Sequence, residues 1–218
     1  MLISRKKNLI ITFCYLGVEA QTMTVWRQAQ RYQVPCIAFI NKLDKTNADL
    51  NMTLNSMENK LGKNVLLTQI PLEDPFNGVI DLIHMNSLTF HEKGCEIVKN
   101  PIDETHPQYL NATESRDALV EQISEYDDNI ANLVIKNDSF DIPSEHIVLA
   151  LKKIVLDSKA LVTFCGSAYK NIGVQPLLDA ITEYLPNPND IKHDFLTNLK
   201  LNELCAMAFK IVHHPNKA

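Results

Sequence analysis

Residues Val34–Leu50 read VPCIAFINKLDKTNADL, an apolar run that stops at Asn41-Lys42-Leu43-Asp44. These positions put an amide, an ammonium and a carboxylate at the end of one strand-like segment. A carboxylate at Asp44 can accept two hydrogen bonds from a single ring edge. Guanine presents such an edge, with its N1–H and exocyclic amino group side by side. Adenine lacks the pair, and a carboxylate left half-satisfied is costly, so one residue can discriminate strongly between the two bases. Asn41 can brace the loop and reach the base, and the Lys42 stem can lie flat on the purine face.

A second apolar run, ALVTFCGSAYKN, ends in Gly166-Ser167-Ala168. A backbone N–H at Ala168 can donate to guanine O6, which adenine also lacks. Ser167 and Ala168 are small enough to let that backbone come close, and Lys170 can shield the base from the far side. Each piece has a plainer reading: Asn-Lys-x-Asp as a solvated loop, Lys170 as a surface lysine. The context favours recognition. In open parallel sheets ligands bind outside the carboxyl ends of the strands, and both clusters stand at such ends.

Alternating strands and helices must position these loops. Leu9–Leu16 reads as a strand, with a poor signal peptide or a presequence remnant, behind Arg5, Lys6 and Lys7, as the alternative. Gly17 closes a turn, and the next helix places Val25, Ala29 and Tyr32 at helical spacing. Pro35 breaks it. Cys36–Ile40 is continuous and β-branched, as buried parallel strands tend to be. The following helix carries Leu50, Leu54, Met57 and Leu61 on one face and stops at Gly62. Ala160–Cys165 is a further strand, and Pro176 opens a helix through Leu177, Leu178, Ile181 and Leu185.

The block between is α+β in character. Val65–Ile83 holds short strand-like pieces, and His91–His106 is polar and turn-rich. One long amphipathic helix is expected through Leu119, Ile123, Tyr126, Ile130 and Leu133, with Asp127-Asp128 on its solvated face. Ser144 reads as the N-cap of the next helix. The expected organisation is residues 1–64 and 159–188 as one α/β unit, 65–158 as its insert, and 189–218 as a linker and the first strand, near Leu204–Val212, of another domain.

The chain has 218 residues and a formal net charge of −5, an acidic balance that disfavours a general electrostatic grip on nucleic acid or anionic membrane. No segment reaches the ~18 apolar residues a membrane span needs. The five cysteines are scattered and read as reduced thiols. No Cys-x-x-Cys or His-Glu-x-x-His spacing supports a metal site, and His213-His214 reads as solvated. Trp26 and Tyr32 read as helix packing, and Arg27 as a surface charge.

The chain resembles the translational GTPases, and within them elongation factor G. The resemblance is carried by Gly17–Thr22, Thr24–Ala29 and Phe39–Lys45 around the base-specificity loop, by Gly78–Leu82 in an inserted subdomain, and by Cys165–Asn171 with Gly173–Ala180 around the second base loop. Trp26, the Asp44-Lys45-Thr46-x-Ala48 run and the short linker into Leu204–Lys210 resemble the mitochondrial branch of the family that serves ribosome recycling; the translocating mitochondrial factor is the alternative. The resemblance implies the C-terminal half of a P-loop GTPase-type parallel-sheet G domain, α/β in class, with an inserted α+β subdomain and the start of a β-barrel domain. It implies GTP or GDP bound through Asn41, Lys42, Asp44, Ser167, Ala168 and Lys170. The mitochondrial ribosome and a recycling factor are the expected partners, with no membrane and no direct sequence-specific nucleic-acid binding, and the matrix is the expected location.

The six glycines form no Gly-x-x-x-x-Gly-Lys-[Ser/Thr], and no Asp-x-x-Gly occurs. The family carries both, and a switch loop, ahead of the matching residues. Mg²⁺ is therefore expected only in a full-length parent, no catalytic or metal-binding residue is assigned, and the chain alone is expected not to hydrolyse GTP. A catalytically silent binding fragment is the competing reading. The first sixteen residues depart from the family, which suggests an alternative start and a bare apolar edge at Leu9–Leu16 that favours self-association.

Overall fold

The structure is a computed structural model that describes residues 9–14, 17–72, 76–90 and 97–187. Among them a four-stranded parallel sheet runs in the order β1-β2-β8-β3, formed by β1 (Leu9–Cys14), β2 (Cys36–Asn41), β8 (Leu161–Cys165) and β3 (Val65–Leu67). Side chains of β2 and β8 point alternately into two cores. Ile37, Phe39, Val162 and Phe164 share one with residues of α3 (Tyr109–Ser124), α5 (Ser144–Leu156) and α6 (Val174–Tyr184). Ala38, Ile40, Leu161 and Cys165 share the other with residues of α1 (Ala20–Arg31) and α2 (Leu50–Leu61). Helices on both faces explain why these strands are almost continuously apolar rather than apolar at every second position.

Local signals set the helix ends. Asp49 caps α2 by accepting the Met52 N–H at 2.9 Å, and Gly62 closes it in a left-handed conformation at φ 64°. Buried Trp26 fixes α1 to α2, its indole N–H donating to the Leu61 carbonyl at 3.2 Å.

The parallel sheet reaches further than the sequence suggests. The expected insert began at Val65, but Val65–Leu67 pairs with Leu161–Thr163 as a strand of the main sheet. The crossing falls at buried Thr68. Its N–H and hydroxyl both donate to the Thr163 carbonyl, at 3.0 and 2.9 Å, while its own carbonyl accepts from Leu82. Beyond it a second, antiparallel sheet runs β4 (Gln69–Pro71), β5 (Gly78–Asp81), β6 (Asn86–Phe90), β7 (Ile97–Pro101). β7 lies within the stretch read as polar and turn-rich, and β6 was not anticipated.

Three helix readings also change. The expected long helix is two, α3 and α4 (Asp128–Asn137), separated at Asp127. Asp127 is no solvated acid: it is buried, accepts the Asn129 and Ile130 N–H groups, and pairs with Lys153 at 3.0 Å. The N-cap of α5 is Pro143, with Ser144 the first helical residue. α6 starts two residues before Pro176. Arg116, which no motif flagged, clamps α3 to the turn after β5 and to the segment before α5 by donating to the carbonyls of Leu82 at 2.6 Å and Ile142 at 2.7 Å.

No helix among the described residues is long and apolar enough to cross a membrane. The segment near Leu204–Val212 and His213-His214 lie outside the described residues.

Candidate functional site

β2 and β8 are adjacent and parallel, with Ile37–Ile40 in register with Val162–Cys165, so their carboxyl ends emerge together. The loop after β2 turns at once. Lys42 adopts the left-handed conformation at φ 67°, which disfavours a residue with a Cβ. Asn41 supports the turn, its Oδ1 accepting the Lys42 N–H at 2.8 Å. The Lys45 N–H then closes back on the Lys42 carbonyl at 3.2 Å.

The loop after β8 is tighter still. Gly166 donates to the Ile40 carbonyl at 2.9 Å and accepts the Leu43 N–H at 3.2 Å. A Cβ there would fall 2.2 Å from the Ile172 carbonyl oxygen, so only glycine fits. Ser167 is fully buried and exchanges two backbone hydrogen bonds with Ile172, at 3.0 and 2.9 Å. Its Oγ accepts the Lys170 N–H at 3.3 Å. Ser167 therefore acts inside the loop as a brace, more than as a small residue that lets a ligand approach.

Beyond the backbone contacts at Gly166, a side-chain contact joins the two loops: the Ala168 N–H donates to Asn41 Oδ1 at 2.8 Å. The sequence assigned this N–H to a base oxygen, whereas here its partner is Asn41. All six residues singled out from the sequence lie in this pair of loops. Ala168, Lys170 and Lys42 are exposed and Asn41 is half-buried. Asp44 is half-buried, and its Oδ1 is enclosed yet accepts no hydrogen bond. An enclosed acceptor with no donor is costly, so this oxygen fits a ligand that brings an N–H.

Two cysteines lie in these strands, Cys165 at the end of β8 and Cys36 at the start of β2. Burial pushes the Cys165 thiol far above the ordinary thiol range, and burial, only partly offset by Lys63, raises Cys36 to about 11. Both are free and buried. Sequence reasoning missed Asn171 and Gly173, which hold left-handed conformations at φ 57° and 76° and shape the return of the second loop. The Asn-x-Gly spacing there was the available signal.

Comparison with known proteins agrees with this arrangement. The family model described as the elongation factor Tu GTP binding domain matches residues 8–187. A relative from Danio rerio, named ribosome-releasing factor 2, mitochondrial, is 44% identical over 209 residues, covering 90% of this chain and 27% of its own length. The Rattus norvegicus protein of the same name is 42% identical over 207 residues, covering 90% and 26%. The chain thus spans about a quarter of the length of the curated relatives it matches. A crystal structure of a protein from Thermus thermophilus superposes with a TM-score of 0.67 at 24% identity, covering 80% of this chain and 26% of that one, a likeness of fold.

Proposed function

Because the chain belongs to the elongation factor Tu GTP-binding domain family, we propose that it is the base-reading part of a mitochondrial translational GTPase that serves ribosome recycling. The observation that carries this reading is the enclosed, unpartnered Oδ1 of Asp44 beside two loops held together by Asn41 and Ala168. The N1–H and amino group of guanine supply the donor that this oxygen lacks, and adenine does not. Asn41 acts as the positioning residue, with the Lys42 and Lys170 stems covering the base.

GTP is the substrate and GDP the product in this reading. Among the described residues no group of three or more His, Cys, Asp or Glu could hold a metal. Mg²⁺ is assigned to the phosphate-holding segment of a longer protein. The relatives are named mitochondrial ribosome-releasing factors, which supports a role in releasing mitochondrial ribosomes; subunit splitting in the matrix, with a recycling factor as partner, belongs to the same proposal. The test is subunit splitting by the intact protein with recycling factor. Splitting with GTP and none with ATP is expected. GTP-driven translocation without splitting would replace the recycling role with the translocating one.

A second reading concerns these 218 residues by themselves. They contain neither Gly-x-x-x-x-Gly-Lys-[Ser/Thr] nor Asp-x-x-Gly, so they read a base without hydrolysing the nucleotide. Phosphate release over several turnovers by this polypeptide would contradict it.

A further inference from the structure

A cleft of about 260 Å³ separates the antiparallel sheet of the insert from α6 and is lined by none of the six residues assigned to the base. Gln69, Asp81 and Lys99 line its insert side, and Asp179, Glu183 and Tyr184 its helix side. Gln69 is 2% exposed, and its Oε1 accepts no hydrogen bond. A buried amide oxygen without a donor is destabilising, and such groups call for an explanation.

The surroundings define the missing donor. Asp81, Asp179 and Glu183 bring three carboxylates against Lys99 and His84, whose imidazole the hydrogen bond to Asp81 shifts towards its charged form, so the acids still outnumber the bases and the cleft favours positive charge. His84 is already engaged with Asp81 Oδ2 at 2.9 Å. No described group of three or more His, Cys, Asp or Glu could hold a metal ion, which points to an N–H donor instead. The walls are partly apolar, with Leu88 on one side and Phe164 stacked on Tyr184 at 6.3 Å on the other. That combination suits a short carbon chain ending in an ammonium group.

We propose that this cleft binds a small alkylammonium ligand of the diamine or polyamine class, with one ammonium donating to Gln69 Oε1 and its charge balanced by Asp81, Asp179 and Glu183. The ligand bridges the insert and α6, the helix that follows the second base loop at Gly173.

Calorimetric titration of the full 218-residue chain with 1,4-diaminobutane and with spermidine, at fixed ionic strength, tests the site. Saturable binding of one amine per chain is expected, with no comparable heat from MgCl₂. Gln69→Leu is expected to weaken binding at least tenfold while its unliganded melting temperature stays equal or rises, because the orphaned oxygen is gone. Should Gln69→Leu fold poorly, the double variant Asp179→Asn/Glu183→Gln, on exposed positions of α6, is expected to weaken binding to a similar degree. Absence of saturable heat would mean that the cleft holds only water and would overturn the proposal. Unchanged affinity in either folded variant would place the amine elsewhere on the acidic surface, with the same consequence.

Discussion

Asn41 Oδ1 accepts the Ala168 N–H at 2.8 Å across 127 positions of sequence. The same oxygen accepts the Lys42 N–H at 2.8 Å, so a single atom holds the first loop's turn and fastens it to the second loop. Asn41→Ala removes both acceptances and leaves the loops joined only through backbone contacts at Gly166. Guanine nucleotide affinity of the intact protein is expected to fall about tenfold, equivalent to ~1.4 kcal/mol. Equilibrium titration with a fluorescent GDP analogue measures this, and an unchanged Kd would remove the positioning role of Asn41.

The loop after β8 has no room for a methyl group at its first residue. Gly166→Ala places a Cβ 2.2 Å from a backbone oxygen, and the nearest atoms of Ile172 are not a flexible side chain that can swing away. A loss of about 2 kcal/mol or more is expected. Gly62→Ala is the useful contrast, since its Cβ meets nothing within 4 Å and only the left-handed conformation at φ 64° is penalised, by about 1 kcal/mol. Denaturant midpoints of the two variants should fall in that order. Equal losses would show that crowding at Gly166 is relieved by a small shift.

Asp127 ties the insert together through a cap and an ion pair. Asp127→Ala is expected to cost about 1–2 kcal/mol, mostly from the lost N-cap, because the solvent-exposed Lys153 is rehydrated when its partner goes. Asp127→Asn keeps an oxygen for the cap and is expected to cost less. Denaturant unfolding of the two variants measures the difference, and equal losses would show that the cap contributes nothing of its own.

The same residue predicts a pH dependence. Burial pushes the Asp127 carboxyl upward, but the Lys153 bond and the Ile130 and Asn129 N–H groups outweigh it, and the folded value lies below the ordinary one. Its contribution is therefore complete above the unfolded value, near ~3.9, and fades as pH falls through the folded one. The stability gap between the native sequence and Asp127→Asn should be widest at neutral pH and shrink towards pH ~3. A gap that grows in acid would contradict the assignment.

The main sheet and both loops were legible because their signals are local. β2 is an unbroken apolar run, and α2 shows its face and both end signals within a single short stretch from Asp49 to Gly62. What escaped depends on distant partners or on continuity of phase. β3 is three residues long, and only its pairing with β8, nearly a hundred residues on, assigns it to the parallel sheet. The break between α3 and α4 was hidden because the Tyr126 and Asp127 N–H groups both return to the Ile123 carbonyl, so the turn preserves helical spacing from Leu119 to Leu133. At the site, residue types identified the loops, but the choice of Ala168 N–H partner is geometric. Nothing in Gly-Ser-Ala distinguishes an amide that donates to a base from one that donates to Asn41.

In the proposed function, the enclosed oxygen of Asp44 reads guanine. Its most direct test is nucleotide competition between GTP and XTP, in the intact protein, for the native sequence and Asp44→Asn. Xanthine replaces the amino donor with a carbonyl, which an asparagine NH₂ satisfies and a carboxylate does not. Strong preference for GTP is expected in the native protein, with a shift towards XTP of about a hundredfold or more in the variant. An unchanged GTP-over-XTP ratio would contradict it.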